Sequence, residues 1–168
     1  MGYTHYYKST KSDYSAQWKA FIIACKKLHK NLPKTSETAG GDYNEDIIKI
    51  AGGQGTGKPI FDEKIVCFNG SEKNGMNLES FYLPSEFDIE DSHFCKTARK
   101  PYDLLVVACI IAAWQILDFR FSSDGFNKDG SCDDLQPAID YYNATMKPET
   151  LITQEHLFLQ RKEYHDMD

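Results

Sequence analysis

The chain lacks the features that mark several large functional classes. Its five cysteines (Cys25, Cys67, Cys95, Cys109 and Cys132) are odd in number, and no two form a Cys-x-x-Cys pair. Neither a disulfide framework nor a zinc ribbon is therefore expected, and buried thiols in a reducing compartment account for them. The five histidines show no H-x-x-x-H or H-E-x-x-H spacing, so a zinc hydrolase is unsupported and no metal site is expected. Positive charge is not in excess either. The net charge of -6 excludes a broad basic face for duplex nucleic acid or an anionic membrane. The longest apolar run, around Leu104 to Leu117, is too short for a membrane span. The opening Met1 to Tyr7 has no basic region leading into an apolar stretch, and Gly2 precedes a strand-like pattern, so neither a signal peptide nor myristoylation is expected. These absences point to a soluble, cytoplasmic protein with no cofactor.

What is present suits one folded unit. The 168 residues are 41% hydrophobic, enough to bury a real core, and no linker divides them. Residues 2–8 alternate as a strand does, with Tyr3, His5 and Tyr7 on one face and Thr4, Tyr6 and Lys8 on the other. Residues 15–32 read as an amphipathic helix, capped by Asp13 or Ser15 and stopped by Pro33. Short strands are expected at 47–51, 60–68 and 78–83, with Asn69-Gly70 as a turn, after a polar connection at 34–46. A helix over 102–118 is apolar nearly all round and should be buried. A strand at 119–121 and a helix at 133–145 follow, the latter capped by Asp133, and the tail from about 147 is polar and partly helical. This order predicts a single α+β domain over 1–168, with a mainly antiparallel sheet and helices packed on one side.

The stretch from Phe94 to Asp103 stands out. Lys96, Arg99 and Lys100 place three cations within five residues of an acidic chain. Pro101 then suits a first helical turn, where its missing N–H costs nothing. Unpaired N–H groups at a helix start attract anions, and the Thr97 hydroxyl adds a donor, so a phosphate or carboxylate site is one reading. A solvated basic loop, or one paired with the chain's own carboxylates, is the other.

Other patterns are weaker. Gly52 to Lys58 fits G-x-x-x-x-G-K, but Pro59 replaces the Ser or Thr and a strand follows instead of a helix, so a turn is expected. The acidic residues from Asp124 to Asp134 fail the spacing of a calcium loop. Ser122-Ser123-Asp124-Gly125 lacks the nucleophile-elbow pattern. Cys95 beside Lys96 and a helix start has conditions that lower a thiol pKa, with His93 as the nearby base.

Taken together, "MGYTHYY", "FNG", "ESF", "FCKTARKPYDLLV" and "SSDG" resemble a family of small bacteriophage and prophage proteins over roughly residues 1–125. The resemblance implies a viral protein in a bacterial cytoplasm, of a kind that includes anti-defence factors. One such class sequesters nucleotide immune signals, either cyclic oligonucleotides or ADP-ribose derivatives. Lys96, Thr97, Arg99 and Lys100 would meet phosphates. Tyr3, His5, Tyr7, Asn69 and Tyr102 would meet bases, and Asp103 or Asp124, beside Ser122 and Ser123, would hold a ribose hydroxyl or orient Arg99. Three functions stay open. One is capture of a small phosphorylated ligand by a homo-oligomer. Another is hydrolysis of such a ligand with His5 as acid or base and Asp124 as its partner. The third is inhibition of a host protein, with the basic loop forming only internal ion pairs.

Overall fold

The structure is a computed structural model that describes residues 2–35, 47–86 and 91–168. Within these, seven strands and four α-helices form an α+β fold with two small antiparallel sheets. The first sheet has β1 (Thr4–Ser9) between β6 (Ser92–Lys96) and β7 (Phe119–Ser123), and the second gathers β2 (Ile50–Ala51), β3 (Ile60–Phe61) and β5 (Phe81–Pro84) around β4 (Ile65–Gly70). The strand expected at 60–68 is thus two strands. Asp62 divides them, its carboxylate accepting the N–H groups of Lys64 at 2.9 Å and Ile65 at 3.0 Å. Asn69 and Gly70 end β4 as paired residues instead of forming a turn.

The alternation in β1 sets the layers. Tyr3, His5 and Tyr7 are buried on one face, and the register places Cys95 and Ser123 beside His5, with His93 and Phe121 beside Tyr7. Against this face lies α2 (Asp103–Leu117), in which Leu104 through Ala113 are all buried. A helix without a wet side needs neighbours all round. The sheet, α1 (Ser15–Lys30) and α3 (Gln136–Met146) provide them. The first of these buries Trp18, Phe21, Cys25 and Leu28, as its spacing predicts.

The polar tail contains α4 (Gln154–Asp166), begun by a capping box in which the Thr153 hydroxyl accepts the His156 N–H and the His156 ring accepts the Thr153 N–H. This helix lies along the β7 edge. The Gln160 side chain accepts the Phe121 N–H at 2.7 Å and donates to its carbonyl at 2.8 Å, completing ladder bonds that an edge strand leaves open. Its last turn reaches the other sheet face, where the Lys8 ammonium sits 4.3 Å from the Tyr164 ring centre. No described helix is long and apolar enough to cross a membrane. All five cysteines are free, and four of them are buried.

Candidate functional site

Two regions gather the residues singled out by their chemistry. The first is the junction of β1, the turn before α2 and the end of β7. After β6 the chain turns through Ala98 and Arg99, both in left-handed backbone at φ 51° and 59°, a conformation costing roughly 1–2 kcal/mol per residue. The turn is held from two sides. The Tyr3 carbonyl accepts the N–H groups of Thr97 and Ala98, and the Lys100 ammonium donates to the carbonyls of Gly75 at 2.6 Å and Asn77 at 2.7 Å. Asp103 then enters the first turn of α2, where a carboxylate suits the helix dipole.

From there a buried polar chain crosses the sheet. Asp103 Oδ1 accepts the Thr97 hydroxyl at 2.5 Å and faces His5 Nε2 at 2.6 Å, while His5 Nδ1 lies 2.8 Å from Ser123 Oγ. In the tautomer with its proton on Nε2 the ring donates to Asp103, and Nδ1 accepts from the serine hydroxyl. The Ser123 oxygen in turn accepts the Gly125 N–H at 3.0 Å. These three residues have the connectivity of a hydrolase triad, on different ring nitrogens. They are also sealed: His5 is 1% exposed, Asp103 3% and Ser123 5%. Beside them the Tyr3 hydroxyl is buried next to Ser123. Burial, and then the carboxylates of Asp103 and Asp134, hold its proton far more tightly than in free tyrosine.

The cations of this junction are mostly engaged. Arg99 stacks on the Tyr3 ring at 4.0 Å and donates to Asp134 at 2.7 Å. Asp124, expected as the partner of His5, instead accepts the Thr4 N–H at 3.0 Å. Of the basic loop, Lys96 is the exposed residue. Tyr102 is buried and donates to the Glu79 carbonyl at 2.7 Å. The Asn69 amide is satisfied inside the protein, by Gly70, Leu78 and Ser80. Tyr7 faces β5, its hydroxyl donating to the Tyr82 carbonyl at 3.0 Å, and Ser122 is buried on the opposite sheet face from Ser123. The junction therefore unites Tyr3, His5, Thr97, Arg99, Asp103, Ser123 and Asp124, with Asn69, Lys100 and Tyr102 adjoining. Cys95 is no nucleophile: burial, with Asp103 and Glu79 near it, pushes its thiol well above the ordinary value.

The second region is a cleft of about 470 Å³ bordered by the glycine-rich loop. The loop closes on itself, the Gly52 N–H donating to Gly57 and the Gly55 N–H to Gly52, and the Gly55 carbonyl accepts the Glu72 N–H at 3.0 Å. Gly55 sits at φ 91°, and a Cβ there would lie 2.9 Å from the Glu72 nitrogen, so no other residue fits without movement. As expected, a strand follows and no phosphate-binding helix start is formed. Yet the loop is more than a turn. With Lys49, Ser71 and Lys73 it lines the cleft, and neither lysine forms an ion pair with a described residue. A smaller cavity of about 330 Å³ lies between Pro33, Leu104, Pro137 and Tyr141.

No cluster of three metal-ligating side chains occurs among the described residues. The fold and these two regions define an α+β protein with a sealed polar junction and an open lysine-bearing cleft. Comparison with protein-family models, curated proteins and solved structures finds no match to this chain.

Proposed function

We propose that this chain is a capture protein that binds a small phosphorylated, nucleotide-derived ligand without turning it over, in keeping with the sequestration of an immune signal that its resemblance to phage proteins implies. The observation that carries this reading is the cleft at the glycine-rich loop. Two ammonium groups that form no ion pair with a described residue, a serine hydroxyl and exposed loop backbone border a space within the size range of small-ligand sites. In a chain of net charge -6, cations that pair with no described residue have an anion as their natural complement. The site thus moves from the 96–100 loop, whose polar groups are mostly satisfied internally, to the loop at 52–57.

Hydrolysis is the second reading, favoured by the Ser123–His5–Asp103 chain. Its obstacle is burial, because a substrate must come within hydrogen-bond reach of a catalytic group. Thermal shift of the purified protein against cyclic dinucleotides, NAD and ADP-ribose, followed by mass analysis of each recovered ligand, separates the two. A ligand at 100 times its dissociation constant adds about 2.7 kcal/mol of stability. Recovery of an intact ligand is the expected outcome, and a cleaved one would establish the hydrolase. No shift from any compound would sink both readings and leave a protein partner.

A further inference from the structure

We infer that Lys100 is a positioning residue of the cleft, holding the turn that carries Lys73 and the glycine-rich loop in the arrangement that meets the ligand. This rests on the capture reading above and goes beyond it. Two segments of the chain border the cleft, one with Lys49, Thr56 and Gly57, the other with Ser71 and Lys73. Apart from β2 they are turns, so their placement depends on individual hydrogen bonds. The Gly55 carbonyl accepts the Glu72 N–H at 3.0 Å, and the Gln54 carbonyl accepts the Asn77 side-chain amide at 3.1 Å. Asn77 also packs on the loop itself, since a Cβ on Gly55 would lie 2.9 Å from the Asn77 Cβ. Lys100 fixes Asn77 in turn. Its ammonium donates to the Asn77 carbonyl at 2.7 Å and to the Gly75 carbonyl at 2.6 Å, and a charged donor makes such bonds stronger than neutral ones. Gly75 closes the turn that carries Lys73, its N–H donating to the Glu72 carbonyl at 3.0 Å. One ammonium thus holds both the end of that turn and the residue that reaches the glycine-rich loop.

The base of this clamp is anchored. The Lys100 N–H donates to the Thr97 carbonyl at 3.1 Å, and the Lys100 carbonyl accepts the Asp103 N–H at 2.8 Å where α2 begins. The clamp is therefore tied to the buried helix and to the polar junction. Apparent affinity falls in proportion to the fraction of molecules that hold the binding arrangement, so a site built on turns gains from a fixed support. Removing the Lys100 ammonium leaves Lys49 and Lys73 in place but releases the turn on which one of them sits. The basic loop then serves the cleft without bordering it.

Calorimetric titration of the full chain with inorganic pyrophosphate and ADP-ribose tests this. Both probes should bind the parent chain and be lost in the Lys49→Ala, Lys73→Ala double variant, which places them in the cleft. Lys100→Met keeps the stem and removes the ammonium, and Asn77→Ala removes the link to Gln54. Each should weaken both probes about tenfold, as when about one molecule in ten holds the arrangement. Combined, they should weaken the probes no more than either does alone, because both break the same clamp. Amide exchange at Glu72 and Gly75 should quicken in Lys100→Met while that of α2 stays unchanged, which separates loosening of the turn from loss of the fold. Unchanged affinity in Lys100→Met, or exchange at Glu72 and Gly75 no faster than in the parent, would overturn the inference while the capture reading stood. So would losses that added in the combined variant, since Lys100 would then touch the ligand itself. Binding indifferent to Lys49 and Lys73 would put the ligand elsewhere and overturn it as well. If neither probe bound the parent chain, the capture reading itself would fall and take the inference with it.

Discussion

The junction at β1, α2 and β7 and the cleft at the glycine-rich loop handle polar groups in opposite ways. In the junction Thr97, Asp103, His5 and Ser123 satisfy one another behind the surface, and Arg99 is occupied by Tyr3 and Asp134. At the cleft Lys49 and Lys73 form no ion pair with a described residue. Buried polar groups stay buried only when paired, so the junction's chemistry is explained by holding three distant segments together. The cleft's lysines are exposed, and charges so placed are expected to add little to a fold. Chemically conspicuous residues are thus poor guides to function when their partners lie inside the same chain.

Alkali should expose the difference most strongly. Burial pushes the hydroxyls of Tyr141 and Tyr142 up to about 12, and it raises those of Tyr3, Tyr7, Tyr14 and Tyr102 as well. In the unfolded chain tyrosine loses its proton near pH 10. The folded state therefore holds more protons above that pH, and stability falls as pH rises from about 10 through 12. Tyrosinate absorbance should rise in one steep step together with loss of helical circular dichroism. The Lys49→Ala, Lys73→Ala variant should follow the same curve, since no described tyrosine borders the cleft. Gradual tyrosine titration without unfolding would mean that the hydroxyls reach solvent.

Next in size is Asp103→Ala. It strands His5 and Thr97 without their shared acceptor, in a place closed to water. Breaking a buried pair in this way costs about 3–5 kcal/mol, readable as a lower urea midpoint with an unchanged slope. A loss below about 1 kcal/mol, the worth of an ordinary hydrogen bond, would show that the chain does not hold the junction. Ser123 would then return as a candidate nucleophile.

Arg99→Ala should cost less, about 1 kcal/mol, because its ion pair and ring contact are partly exposed. Its larger use is for binding. If the cleft is the site, affinity for ADP-ribose stays within twofold of the parent. Loss of binding in Arg99→Ala, with the lysine variants intact, would return the site to the basic loop.

How much of this the sequence discloses follows from the range of each interaction. The faces of β1 and the buried nature of α2 rest on local periodicity and are readable directly. The fold class follows from the order of elements. By contrast, β6 is hidden, because Phe94 points outward at 60% exposure while Cys95 is buried, inverting the usual reading of hydrophobicity. The His5 contacts span 98 and 118 positions, beyond any local spacing rule. The sequence does hold the residues that meet at the junction, but not that they neutralise one another. The glycine loop shows the reverse failure. Its pattern suggested phosphate and its context argued against a P-loop. The context is correct about the fold, yet the cleft depends on residues 49 and 71–73, brought in by β2 and the end of β4.

The smallest expected effect is therefore the sharpest test of the comparison. Replacing Lys49 and Lys73 by Ala removes two cations that pair with no described residue, and surface changes of this kind shift stability by no more than about 0.5 kcal/mol each. A small loss is the expected sign, because a chain of net charge -6 becomes still more negative. The loss should shrink further in high salt, where such repulsion is screened. Urea unfolding of the double variant at low and high salt measures both. A cost above about 2 kcal/mol that persisted in salt could not come from exposed charges. It would show that the lysines hold the cleft together as Asp103 holds the junction, and the contrast between the two regions would disappear.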